Sequence, residues 1–226
     1  MPRALLDDAG SPQIVGVILN RTELRRATRM RNPPDWFELR LDALLPESDG
    51  LEADIRMLQA PLIMTARHPR EGGLNRLSTE KRRTLLRGFL RHAACVDIEL
   101  RSAPAFTTIL SEARRKKIRT IVSFHDFHET PRRWRLDEIA HTARSLGADY
   151  LKIATRTDTL AELARLREFF QRERLHMKIA VMGLGRLGRI SRVEFARDHS
   201  ALNYAHLGSA QIRGQLSITQ LRRLLR

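Results

Sequence analysis

Eight short apolar or β-branched runs recur along this chain, with charged stretches at helical spacing between most of them, and this alternation restricts the fold more than any other feature. The runs are residues 13–19 (QIVGVIL), 36–41 (WFELRL), 61–66 (PLIMTA), 95–100 (CVDIEL), 119–124 (RTIVSF), 150–154 (YLKIA), 178–182 (KIAVM) and 202–207 (LNYAHL). Amphipathic segments at 79–92, 104–116, 134–146 and 158–174 lie between them. Strand and helix in strict alternation argue for an α/β protein with a parallel sheet. Eight repeats in 226 residues fit a single-domain (β/α)₈ barrel, at the short end of a range that begins at roughly 200 residues. An open doubly wound sheet is the alternative. Residues 12–226 are read as the barrel and residues 1–11 as a loose arm.

A barrel gathers its reactive residues at the C-terminal ends of the strands. Alternation along the sixth run puts Tyr150, Lys152 and Ala154 on one face. A lysine inside an apolar strand admits two readings. It is either a strand-end side chain reaching solvent, or an amine whose pKa is lowered by burial and neighbouring cations so that it attacks a carbonyl. The fifth run leads into His125, Asp126 and His128. His125 stands at the barrel mouth and suits proton transfer near neutrality; His128 is read as a structural loop histidine, and a His-x-x-His metal pair lacks a third ligand. The third run leads into Arg67 and Glu71, ahead of a flexible Gly72-Gly73 turn, and a glutamate there can bond the histidine and fix its tautomer. Glu38 and Arg40 share one face of the second run, as Asp97 and Glu99 do on the fourth. Polar groups on one face of four strands describe a polar barrel interior.

The stretch KIAVMGLGRLGRISR (178–192) spells a dinucleotide-binding fingerprint at Gly183, Gly185 and Gly188. Such a fingerprint opens a βαβ unit and is followed about 20 residues later by an acidic residue for the ribose. Here Glu194 and Asp198 come too early, and one strand candidate remains. NAD is therefore excluded on context. The glycines read instead as a flexible loop leading to Arg192, a guanidinium suited to a carboxylate. The last run leads into a loop carrying Gln211, Arg213 and Gln215, candidate substrate contacts at the same end of the barrel.

The net charge of +15 raises nucleic-acid binding as a possibility. The cations are scattered among acidic and apolar residues at helical spacing, as on solvated helix faces, so no nucleic-acid partner is expected. No run approaches the roughly 20 apolar residues of a membrane span, and the first residues lack the apolar core of a secretory signal. With the single Cys95 unable to pair internally, the reading is a cytoplasmic protein.

Taken together, FELRLD, TARHPREGG, VDIEL, SFHDFHETP, ADYLKIA, GRLGRISR and GQLSI, in this order, resemble type I 3-dehydroquinate dehydratases, the Schiff-base lyases of the shikimate pathway to aromatic amino acids. The resemblance runs from about residue 12 to the C-terminus. It implies a (β/α)₈ barrel, commonly a homodimer, with no metal and no organic cofactor. It further implies 3-dehydroquinate as the small-molecule substrate, syn elimination of water, Lys152 as the imine-forming amine, His125 as the acid–base and Glu71 as its orienting carboxylate. Arg192 resembles the arginine that holds the substrate carboxylate. Glu38, Arg40, Arg67 and Gln215 match positions that bind ring hydroxyls or shape the pocket.

Two places depart from the family pattern. Leu184 stands where a methionine is usual, and the last loop reads Gln211-Ile-Arg213-Gly-Gln215, exchanging a hydroxyl for an amide and bringing an extra guanidinium beside the pocket. Two rival readings make different demands. A class I aldolase shares Lys152 without requiring the His-Asp-Phe and Glu-Gly-Gly motifs; a nucleic-acid binder on an enzyme scaffold is indifferent to Lys152→Ala.

Overall fold

The computed structural model describes residues 12–45 and 50–226; the expected N-terminal arm, 1–11, lies outside them. Eight strands form: β1 (Ile14–Ile18), β2 (Trp36–Arg40), β3 (Leu62–Thr65), β4 (Cys95–Glu99), β5 (Arg119–Asp126), β6 (Tyr150–Arg156), β7 (Lys178–Leu184) and β8 (Asn203–His206). All neighbours pair parallel, in the order β7-β6-β5-β4-β3-β2-β1-β8. The remaining seam, between β7 and β8, is bridged by the Ala201 N–H donating to Ile179 O at 2.9 Å and the Val181 N–H donating to Ser200 Oγ at 3.3 Å. The result is a nearly closed (β/α)₈ barrel.

Helices fill the crossovers: α1 (Arg21–Thr28), α2 (Leu41–Leu44), α3 (Leu51–Arg56), α4 (Thr79–Phe89), α5 (Thr107–Arg115), α6 (Arg133–Ser145), α7 (Leu160–Glu173), α8 (Gly188–Arg197) and, after β8, α9 (Ile218–Leu225). Their starts are written locally. Asn20 and Ser78 accept the N–H groups of Glu23 and Lys81, while Thr159 with Glu162 and Ser217 with Gln220 form complete capping boxes. On α7 the buried Leu163, Leu166, Phe169 and Phe170 make one apolar stripe at helical spacing.

Alternation along the strands divides the interior in two. Residues such as Ile18, Leu39, Met64, Ile98, Val122 and Ile153 point outward into the apolar layer beneath the helices. Their neighbours point into the lumen, where Val15, Trp36, Ile63, Cys95, Ile121 and Tyr150 pack an apolar floor. One or two steps further along the strands stand Glu38, Thr65, Asp97, Ser123 and Lys152, all buried. The polar interior thus forms a layer toward the C-terminal ends of the strands.

Three strands run further than the apolar runs indicate. β5 extends through His125 and Asp126, which pair with Ala154 and Thr155, so His125 is a strand residue and not the first of a loop. The expected helix at 104–116 begins as a 3₁₀ segment, Leu100–Phe106, before α5.

Candidate active site

Lys152 is 4% exposed, so the solvent-reaching reading of this lysine fails. Its Nζ lies 3.1 Å from Asp97 Oδ2, 3.4 Å from Glu38 Oε1 and 3.8 Å from the centre of the Tyr204 ring. The expected neighbouring cations are therefore corrected: the groups touching the amine are two carboxylates and an aromatic face. Register explains this. Ser123 pairs with Lys152 on β6, while Asp97 and Glu38 face inward from β4 and β2 across the lumen.

Arg67, just past β3, binds this layer together. It donates to Asp97 Oδ1 at 3.1 Å and Oδ2 at 2.6 Å, to Ser123 Oγ at 2.7 Å, and to Glu38 and Glu99 at 3.4 Å each. Burial opposes the Arg67 charge, but Asp97, Glu99 and Glu38 outweigh it and raise its pKa. Burial likewise opposes ionisation of Asp97, yet Arg67 and Lys152 hold it well below the usual carboxylate range. Thr65 donates to Glu38 at 2.8 Å. Arg40 is spent differently, donating to both oxygens of Asp42 at 3.0 and 2.9 Å and to Gly72 O at 2.8 Å, which ties β2 to the loop carrying Glu71.

Glu71 Oε2 lies 2.9 Å from His125 Nδ1 and accepts the His125 backbone N–H at 3.0 Å. Burial, reinforced by the cations of Arg67 and Lys152, pushes the His125 imidazole well below its ordinary pKa, with Asp97 pulling the other way. The shift favours the neutral ring, and with Glu71 ionised the link is a hydrogen bond from Nδ1–H that leaves Nε2 as the base. Burial pushes Glu71 itself up to about 7, against Arg67 and Arg101 and with Glu99 adding to the rise. His128 is exposed and its backbone N–H caps onto Asp126 at 2.8 Å. Among the described residues no three His, Cys, Asp or Glu side chains are grouped to hold a metal.

Arg192 lies in the first two turns of α8, not in the preceding loop. It is 7% exposed, donates to Tyr204 O at 3.1 Å and touches Met182 Sδ at 3.5 Å. Its buried Nε has no partner among the described residues, and burial alone lowers its pKa to about 10. It is a buried cation with no carboxylate partner among the described residues, at the wall of a cavity.

Glu38, Arg40, Arg67, Glu71, His125, Lys152, Arg192, Gln211 and Gln215 all line that one cavity at the C-terminal ends of the strands. Gln215 Oε1 accepts the Gln211 N–H at 2.9 Å, which folds the last loop over it. Leu184 contributes apolar wall. Arg213 does not enter: its side chain is exposed, and its carbonyl accepts the Gly185 N–H at 3.1 Å, so Ile212 lines the cavity in its place. Tyr204, Phe127 and Met182 are lining residues that sequence reasoning missed. Alternation on β8 was signal enough for Tyr204, since it faces inward as Lys152 does. Its hydroxyl is buried without a partner among the described residues.

A family model described as type I 3-dehydroquinase matches residues 19–226. The 3-dehydroquinate dehydratase of Thermococcus onnurineus is 31% identical over 214 residues, covering 94% of this chain and 96% of that protein. That of Enterococcus faecalis is 33% identical over 238 residues, covering 96% and 92%. Among solved structures, 3-dehydroquinate dehydratase from Geobacillus kaustophilus superposes with a TM-score of 0.86 at 25% identity, covering 95% of this chain and 90% of that one.

Proposed function

The chain belongs to the type I 3-dehydroquinase family, and from that premise we propose that it dehydrates 3-dehydroquinate to 3-dehydroshikimate through an imine on Lys152, with His125 carrying the protons. It is an enzyme of that family, and the reaction serves aromatic biosynthesis. The observation that carries the imine is a buried lysine on the floor of a cavity whose walls also hold the His125–Glu71 pair and an arginine with no carboxylate partner among the described residues.

Lys152 gives up one ammonium proton and its amine adds to the C3 ketone; the proton returns as the carbinolamine loses water, which leaves a protonated imine. Its positive nitrogen is an electron sink, so the C2 proton becomes acidic. His125 takes that proton at Nε2 and becomes an imidazolium, while the electron pair moves through C2–C3 to nitrogen as an enamine. The pair then returns, the C1–O bond breaks, and the imidazolium gives its proton to the departing hydroxyl. Hydrolysis of the conjugated imine frees product and Lys152.

Asp97 and Glu38, at 3.1 and 3.4 Å from the amine, stabilise positive charge at that nitrogen throughout. Ionised Glu71 stabilises the transient imidazolium through Nδ1. Arg192, with no carboxylate partner among the described residues, is placed to take the substrate's. Gln211, Gln215 and Arg40 face the ring hydroxyls, and Arg67 holds Asp97 and Glu38 in place. The same reading includes a cytoplasmic homodimer, whose oligomeric state light scattering reads directly; no described helix is long and apolar enough to cross a membrane.

Intact-protein mass spectrometry after incubation with 3-dehydroquinate and sodium borohydride tests the imine. A reduced adduct is expected on the wild type, mapping to Lys152, and none on Lys152→Ala. An active wild type that forms no adduct, or an adduct that survives Lys152→Ala, overturns the lysine's role.

A further inference from the structure

Glu71 divides its two oxygens between two partners. Oε2 receives both the backbone N–H and the ring Nδ1 of His125. Oε1 lies 2.9 Å from Nε of Arg101, on the 3₁₀ segment that follows β4. With two donors already on Oε2, a proton arriving at this carboxylate lands on Oε1, the oxygen Arg101 occupies. The charged groups around the pair are Arg67 from β3, Glu99 and Asp97 from β4, Lys152 from β6 and Arg40 from β2. Each is committed elsewhere: Arg67 and Lys152 to Asp97 and Glu38, Glu99 to Arg82 and Ser102, Arg40 to Asp42. Arg101 makes no other hydrogen bond or ion pair with the described residues, and its side chain is 42% exposed while that of Glu71 is 1% exposed. The buried carboxylate is thus coupled to solvent through one guanidinium.

We propose that Arg101 is a positioning residue for proton transfer, keeping Glu71 ionised and turned toward His125 so that the imidazolium formed during elimination has a counter-charge. This rests on His125 being the group that moves the proton. A neutral Glu71 leaves the imidazolium beside Arg67 and Lys152 with no ionised carboxylate bonded to it, and proton abstraction becomes harder. Burial holds the Glu71 pKa near 7 even with Arg101 in place, so the rate falls as the pH drops through that region. Removing Arg101 raises the pKa of Glu71 and carries the acid limb to higher pH. Pairs this exposed shift a pKa by roughly half a unit.

The test is the pH dependence of kcat/KM between pH 5.5 and 9.5 for wild type, Arg101→Ala and Arg101→Lys, at low and high salt. For Arg101→Ala the acid limb is expected to move up by roughly half a unit, lowering activity at pH 6 about threefold and leaving the alkaline plateau intact. Arg101→Lys restores the limb, and high salt shifts the wild type but not the alanine variant. A superimposable profile, or a lower plateau with an unmoved limb, overturns the proposal. A wild type that dehydrates nothing refutes the reaction assigned above; ¹³C-NMR titration of the Glu71 carboxyl in wild type and Arg101→Ala then still decides Arg101's effect on that group.

Discussion

At Arg192 the fold keeps a charge that it would be more stable without. The guanidinium is buried and, among the described residues, has no carboxylate partner and leaves Nε unbonded. A fold under selection for stability alone places an apolar side chain there, because an unpaired buried charge costs free energy. Arg192→Met is expected to stabilise the protein by on the order of 1 kcal/mol or more, visible as a higher urea midpoint. It is expected also to raise KM for 3-dehydroquinate by roughly tenfold or more, with a smaller fall in kcat, as loss of ground-state anchoring does. A KM left unchanged would mean that the substrate carboxylate sits elsewhere. Lys152 is the contrasting case. Its charge is matched by Asp97 and Glu38, so the amine is held in one place at little risk to the fold.

Among the elements, the loop from β7 to α8 resolves the question its spelling raises. A Cβ on Gly183 would lie 2.7 Å from Ser191 Oγ, the atom that accepts the Gly183 N–H at 2.9 Å. Gly185 has φ +82°, and a Cβ there would fall 2.3 Å from Asp158 Oδ1. The glycines let the loop pack against the β6 loop and α8, which requires tight geometry and not the flexibility expected from sequence. Gly185→Ala is expected to lower stability by about 1–2 kcal/mol, since an L-residue resists this backbone region and Asp158 must swing away from the Arg186 N–H it accepts. Chemical denaturation measures it, and a neutral substitution would refute the account. Strand positions and helix caps were legible because alternation and capping are local properties. The 3₁₀ segment 100–106 that carries Arg101 was not, because it starts one residue after a strand with no side-chain cap to mark it.

Over the whole molecule, one residue of the candidate site, Glu71, is expected to shape the pH dependence of folding. The Glu71 pKa is raised in the folded state, from 4.5 to about 7. Its protonated form is therefore favoured by folding, and the associated stability is fully present below pH 4.5 and lost as the pH rises to 7. Above that it amounts to a penalty of up to about 3 kcal/mol. Glu71→Gln is expected to flatten the unfolding free energy between these values relative to wild type, to raise the melting temperature at pH 8, and to lower kcat. Parallel pH-stability curves for the two proteins would contradict the raised pKa.

Sequence alone was enough for the eight-fold alternation of strand and helix, for the polar inward faces of strands such as β2, β4 and β6, and for the gathering of Glu71, Arg192 and Gln215 beyond the strand ends. These follow from side-chain periodicity, which a strand or helix carries without reference to its neighbours. Which groups pair with which was settled by the closed barrel. Lys152 meets Asp97 and Glu38 across 55 and 114 residues of chain, Arg67 is absorbed into the same layer, Arg101 reaches Glu71, and Arg192 meets the Tyr204 carbonyl but no carboxylate among the described residues. Such pairings depend on register between strands and on which groups burial strips of water, and both exist only once the barrel has closed.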